Sequence, residues 1–341
     1  MQLPEPLRRG VEQELAGCDA AGVRVTPRVM PRVALRAAAQ RLSEGYRAGV
    51  APRAMNSAAE RAAYLAVRLP ATYAAVLRAL EWTRELAPEL TEAELRTVLD
   101  LGSGPGTALW AAAEVFPSLA EATAVERDTQ MLAVARRLAA QAEHRALREA
   151  AWIEGDMTDA IPEGRWDVVL CSYALNELAE AQRAELIRRA WDCAAKLLVI
   201  VEPGTRAGFA NVLRARERLL ALGAKLVAPC PHERECPMAA AGDWCHFAAR
   251  VERTGEHRRL KQAQLGHEDE KFSYAAFFRE TDARDAGWTR AAARIVRHPR
   301  IFSGYAQLTL CAQSGLEETT VTRSQKDDWR RLKRLGWGDR W

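Results

Sequence analysis

Residues Thr97-Val-Leu-Asp-Leu-Gly-Ser-Gly-Pro-Gly-Thr107 constrain the fold of this chain more than any other stretch. Val98, Leu99 and Leu101 make an apolar strand, and Gly102, Gly104 and Gly106 then remove side chains where backbone must approach a ligand. Thr107–Phe116 has helical composition. A strand, a glycine turn and a helix in this order mark a nucleotide-cofactor site at the carboxyl edge of a parallel sheet.

The downstream rhythm extends that sheet. Strands are predicted at Ala122–Glu126, Ala151–Ile153, Trp166–Cys171 and Lys196–Val201. Helices are predicted to Phe116, from Asp128 to about Ala146, and over Glu180–Cys193. Alternation of this kind predicts an α/β, doubly wound, Rossmann-like fold. Ligands of such sheets lie beyond the carboxyl ends of the strands, so the residues ending each strand are the candidates. The first strand offers Asp100, Gly102, Ser103, Gly104 and Gly106, and the second ends in Glu126, whose carboxylate accepts from both ribose hydroxyls. After the third come Asp156, an acceptor for an exocyclic adenine amine, and Met157, which packs on the ring. Asp100 would repel a pyrophosphate but suits a cation. Both the sulfonium and the amino group of S-adenosylmethionine are positive.

Val98-Leu-Asp-Leu-Gly-Ser-Gly-Pro-Gly106, Val125-Glu126 and Gly155-Asp156-Met157 resemble the first three motifs of class I S-adenosylmethionine-dependent methyltransferases. The fourth stretch, Asp167–Leu178, lacks the Asn/Asp-Pro-Pro-aromatic turn of amino-methylating enzymes, so no catalytic residue is assigned. Cys171 reads as a packed strand-end thiol, and Tyr173 and Asn176 as residues lining the pocket.

A chain of 341 residues predicts about two units. Four segments are expected: a helical N-terminal domain over 1–90, the cofactor-binding core over 91–228, a cysteine-rich insertion over 229–300, and last core strands with a basic tail over 301–341. No apolar run approaches the ~18 residues of a membrane span, and Met1-Gln-Leu-Pro-Glu-Pro lacks an apolar signal region. The expectation is a soluble, cytoplasmic, monomeric protein without a membrane partner.

Seven cysteines in such a chain argue against a disulfide framework, and Cys230, Cys236 and Cys245 sit in one proline-rich loop. Reduced thiols at this density point to a metal, and a fourth ligand is needed. His232 or His246 would make a zinc site, whereas Cys311 would make an all-thiolate site suited to iron–sulfur. If Cys311 ended an antiparallel seventh core strand it would start out remote from the loop, which leaves His246 as its substitute. The tail from Thr322 is basic and aromatic. Lys326, Arg330, Arg331, Lys333 and Arg334 suit phosphates, while Trp329, Trp337 and Trp341 either stack on bases or bury against the core.

Arg68-Leu-Pro-Ala-Thr-Tyr-Ala-Ala75, Leu99–Thr107, Ser172–Leu178, Pro229-Cys-Pro-His232, Cys236-Pro237, Trp244-Cys-His-Phe247, Lys271-Phe-Ser-Tyr274 and Trp337-Gly-Asp339 together resemble the mitochondrial small-ribosomal-subunit methyltransferase-like family, which has bacterial relatives. The resemblance runs from about Leu42 to Asp339. It implies a [4Fe–4S] cluster on Cys230, Cys236, Cys245 and Cys311 and association with small-subunit rRNA during assembly. The chain would act there either as an rRNA methyltransferase or as an inactive RNA-binding assembly factor.

Overall fold

The computed structural model describes residues 1–17, 32–47, 55, 57–86, 95–261, 264–279 and 292–341. Eight strands form the main sheet: β1 (Thr97–Leu101), β2 (Glu121–Glu126), β3 (Ala151–Glu154), β4 (Trp166–Ser172), β5 (Ala194–Pro203), β6 (Lys225–Ala228), β7 (Phe247–Glu252) and β8 (His267–Phe278). Their order is β3-β2-β1-β4-β5-β8-β6, with β7 paired to β8. Strands β1 to β5 pair in parallel, and β8 runs antiparallel to β5 and β6. That topology is the class I methyltransferase sheet, as expected for the α/β core.

The central strands are buried on both faces, and the period of two decides which core each residue enters. Val98, Val168, Leu170, Leu197 and Val199 face one core, which also takes Leu109 and Ala112 of the helix Thr107–Val115. Leu99, Leu101, Val169, Leu198 and Ile200 face the other, closed by Leu186, Ile187 and Leu219 of the helices Glu180–Cys193 and Arg206–Ala221.

The helical N-terminal segment packs on the first of these cores. Helix Ala58–Ala63 is capped by Ser57, whose hydroxyl accepts from Glu60 N at 3.2 Å; it runs through a π turn, Tyr64–Arg68, into Leu69–Leu86. Trp82 of that helix stacks at 6.0 Å on Phe272 and Tyr274 of β8. Its expected boundary at residue 90 lies outside the described residues. The single helix expected from Asp128 to about Ala146 is instead two, Thr129–Ala139 and Arg145–Arg148.

Two expectations are corrected here. Segment 229–300 is not wholly an insertion, because β7 and β8 within it belong to the main sheet. Strand β8 serves two partners. Its polar first half, from His267, pairs with β7, and its apolar half, Phe272–Phe278, is buried beside β5 and β6. Residues 301–341 hold no core strand either. β9 (Ala293–Ile295), β10 (Arg300–Ile301), β11 (Tyr305–Ala312) and β12 (Gly315–Thr322) form a separate antiparallel sheet around Ile295, Leu308, Leu310 and Val321. The alternating burial of β11 fits a sheet with one covered face.

Helix Lys326–Leu332 follows, and Trp329 and Trp341 pack against this small sheet while Trp337 packs against the main core. The tryptophans of the tail are therefore packing residues. Lys326, Arg330, Arg331, Lys333 and Arg334 are exposed. Among the described residues no helix is long and apolar enough to cross a membrane.

Candidate cofactor cleft and thiol site

Between the ends of β1, β2 and β3 and the N-terminal helical layer lies a cleft of ≈ 670 Å³, open solvent at its mouth included. Gly102, Gly104, Glu126, Asp156 and Met157 line it, as their strand-end positions require. The three turn glycines have φ of +72°, +54° and +79°, a region only glycine adopts freely. A Cβ on Gly102 would meet Ala174 Cβ and Met157 Sδ at 3.0 Å, and one on Gly106 would meet the Trp152 ring at 2.7 Å. Gly106→Ala is expected to cost about 1–3 kcal/mol through positive-φ strain and this clash. Urea unfolding of the variant checks it.

Asp100, Ser103 and Gly106 do not line the open cleft; they build the turn beneath it. Asp100 is buried, and burial first, then the charge of Glu126, pushes its carboxyl up to about 8. Three buried polar atoms on this turn, Asp100 Oδ2, Ser103 Oγ and Thr107 Oγ1, have no hydrogen-bond partner among the described residues. Buried polar atoms are normally paired, so a cluster of orphans at one turn marks the place of a polar ligand.

Glu126 is anchored by the turn: its carboxylate accepts from Gly104 N at 2.7 Å and Asp128 N at 2.8 Å. Burial raises its pKa, and those two bonds only partly oppose the rise. Asp156 accepts from Thr158 N at 2.9 Å and Thr158 Oγ1 at 2.8 Å through one oxygen, and the other stands 3.6 Å from Arg127. Burial raises it, but those bonds and the Arg127 charge outweigh burial and leave it low.

Arg127 also pairs with Glu177 at 3.0 Å, forming a charged bridge across the cleft lining. Burial pushes Glu177 up to about 7 against the pull of Arg127. Thr107 and Glu177 lie in stretches the sequence singled out but were given no role there, and Arg127, with Met55 and Tyr64 from the N-terminal segment, was not singled out. Only Arg127, adjacent to a strand-ending acid, carried a signal.

Tyr173 does not line the cleft, though its neighbour Ala174 does. It is buried, with φ +57°, and its hydroxyl donates to Glu270 Oε1 at 3.0 Å. Glu270 in turn holds Arg68 through two bonds of 2.8 and 3.1 Å. Asn176 accepts from Asn211, which also reaches the buried Glu202, so Asn176 belongs to a packing network. Cys171 is buried, and burial followed by the charges of Glu202, Asp100 and Glu177 raises its thiol well above the usual value. It is no activated nucleophile.

The four cysteines of the second constellation converge. Cys236 and Cys311 share one apolar cluster with Cys245 packed against it, and burial, then the charges of Cys230, Cys236 and Cys311, raise Cys245 well above its ordinary value. Cys311 arrives from the small sheet, not from a core strand. The buried Arg294, its partner on β9, ties the two parts by donating to Pro229 O at 3.1 Å and Gly338 O at 2.6 Å.

His246 is held between tryptophans. It stacks on Trp244 at 5.1 Å and meets Trp337 edge-on at 4.7 Å, and its role as substitute for Cys311 is corrected. His232 is the histidine at hand, its Nε2 3.8 Å from Cys311 Sγ. Among the described residues no three His, Cys, Asp or Glu side chains are set for a common metal ion.

Comparison with known proteins places the chain. It is 29% identical over 294 residues to the human "Ribosome assembly protein METTL17, mitochondrial", covering 81% of this chain and 61% of that one. It is 23% identical over 323 residues to "Rsm22-cox11 tandem protein 2, mitochondrial" of Schizosaccharomyces pombe, covering 81% and 42%. The chain thus spans between two fifths and three fifths of these relatives. Among solved structures, the glycopeptide N-methyltransferase MtfA with S-adenosyl-L-methionine overlaps at TM-score 0.30 and 25% identity, over 37% of this chain and 52% of that one, too little to add to the topology above. The family model described as "Mitochondrial small ribosomal subunit Rsm22" matches residues 58–341, and the chain belongs to that family.

Proposed function

We propose that the chain binds S-adenosylmethionine at the glycine turn and serves small-ribosomal-subunit assembly as an rRNA methyltransferase. The observation that carries the cofactor is the orphaned, buried Asp100 carboxyl beside Ser103 and Thr107. A cation entering this low-dielectric turn gains far more from a carboxylate than it would in water. Glu126 and Asp156 supply the acceptors for ribose and adenine, and Met157 supplies a soft surface for the ring. The bound cofactor supplies an electrophilic methyl group. The residues of this chain orient it and exclude water, and orientation and desolvation are the main catalytic contributions such a transfer needs. Assembly is supported by family membership and by the human relative's name as a ribosome assembly protein.

A second reading, an assembly factor that binds the cofactor without transferring its methyl group, is favoured by one observation. The end of β4 offers an inert Cys171, and the loop after it a Tyr173 already bonded to Glu270. Labelled S-adenosylmethionine with precursor small-subunit rRNA decides between them: transfer absent in wild type as in an Asp100→Ala control leaves only the second reading.

A [4Fe–4S] cluster on Cys230, Cys236, Cys245 and Cys311 is supported by donor chemistry, since all four are soft thiol ligands and Cys236, Cys245 and Cys311 pack in one apolar cluster. Anaerobically purified protein is expected to be brown and to absorb near ~400 nm, with Cys311→Ser losing most of the colour. A colourless wild type with stoichiometric zinc would refute the cluster.

A further inference from the structure

The tip of the β10–β11 hairpin holds three large apolar side chains in water: Ile301, Phe302 and Tyr305 are 61%, 43% and 39% exposed. Singly exposed apolar residues need no reason. Here, however, the two rings stack with centroids 4.7 Å apart and planes 20° apart. A two-residue turn, Ser303-Gly304, holds them, with Phe302 N donating to Tyr305 O at 2.9 Å. Among the described residues, three of the seven large exposed apolar side chains lie at this tip, while Leu316, paired with Cys311, lies toward the far end of the same sheet. The exposure is concentrated, not scattered.

Cations stand beside the stack. Arg323 N donates to Gly304 O at 3.1 Å, so the turn after β12 abuts the hairpin tip, and both Arg323 and Lys326 are exposed. Arg300 is engaged by Glu318 at 3.3 Å, whereas the Arg323 guanidinium lies 5.6 Å from the centroid of the Trp329 ring, a contact that does not neutralise its charge, so Arg323 and Lys326 are assigned as the tip's phosphate partners. The last twenty residues carry seven basic against three acidic side chains, a surplus equal to the +4 of the whole chain. Elsewhere the formal charges cancel.

We infer that the Phe302–Tyr305 tip is a stacking platform for an unpaired base of single-stranded RNA, with Arg323 and Lys326 neutralising the adjoining phosphates. Aromatic faces beside cations are the chemistry that grips single strands, because every base has a π-face and every linkage a charge. A folded protein partner calls for a wider apolar patch depleted of charge at its centre, which this narrow, cation-flanked tip does not offer. The inference rests on the assembly reading but names a surface remote in sequence from the cofactor turn.

The test uses the full chain and a short, mixed-sequence single-stranded RNA carrying fluorescein and one 2-aminopurine. Wild type is expected to bind and to quench the 2-aminopurine. The double variant Phe302→Leu/Tyr305→Leu should lose roughly tenfold or more in affinity, together with the quench, while Phe302→Trp keeps both. Arg323→Gln/Lys326→Gln should flatten the log–log salt dependence by about 1.4, at ~0.7 per phosphate. Leucine variants that bind and quench like wild type overturn the platform and leave the assembly reading standing. Wild type that binds the cofactor but no RNA overturns the platform and RNA contact together. Cofactor affinity and thermal unfolding measured on each variant report whether it has folded.

Discussion

Asp100→Asn is expected to stabilise the ligand-free protein at pH 8 and to weaken S-adenosylmethionine binding severely. The carboxyl sits at about 8 in the fold against an ordinary 3.8, because burial and Glu126 disfavour its charge. The folded state therefore keeps a proton that the unfolded chain releases. The favourable contribution is complete below about pH 4 and is lost as pH rises through about 8, on the order of 5 kcal/mol as an upper figure. Asparagine carries no charge, so that loss disappears in the variant. A bound cation requires the charged carboxylate. Wild-type affinity should accordingly climb from pH 6 to 8 with proton release, while the variant binds at least roughly a hundredfold more weakly with no such slope. Titration calorimetry at three pH values with melting curves checks both halves. A variant that binds like wild type at every pH would disprove the assignment of Asp100 as the cation's partner.

The largest loss of stability is expected at Arg68. Its bidentate pair with Glu270 is buried, and removing the guanidinium leaves Glu270, among the described residues, with the Tyr173 hydroxyl alone as side-chain partner. Breaking such a pair costs about 3–5 kcal/mol, most of it the uncompensated charge. Arg68→Ala should show this loss in urea unfolding, whereas Arg68→Met/Glu270→Leu should recover much of it. A second readout follows from Tyr173, a bulky residue at φ +57° whose bond to Glu270 helps fix the turn leading to Ala174 and the cleft. Arg68→Ala should therefore also weaken cofactor binding. Arg8, paired with Glu5 and Glu12 on an exposed helix, is the control. Equal effects at the two positions would refute the account.

Much of the cofactor cleft was legible because it is local. The Gly102–Gly106 turn, Glu126 and Asp156 each follow an apolar run directly, and the sheet geometry brings strand ends together without further information. What was not legible is non-local. Arg68 and Glu270 are 202 residues apart, and nothing near either names the other. Strand β11 alternates much as a core strand's half-exposed edge would, so the sequence could not say that it joins a separate sheet while β8 fills the slot between β5 and β6. The thiols show both sides of this. Three were grouped by spacing, but Cys311 reaches them only through the small sheet and the Arg294 tie to Pro229.

The placement of β8 also sets an order of events during synthesis. Seven residue pairs join β5 to β8, yet β6, the cysteine loop and β7 all leave the ribosome first. Until residue 278 has emerged, β5 presents an open hydrogen-bonding edge, and such edges recruit other chains. Closure of the sheet pins both ends of the segment between β6 and β7, residues 229–246. Cys230, Cys236 and Cys245 are thus held by the same late step that seals the core, whereas Cys311 can join them only after β11 has followed, and a nascent chain stalled before β8 carries both an unprotected edge and ungathered thiols.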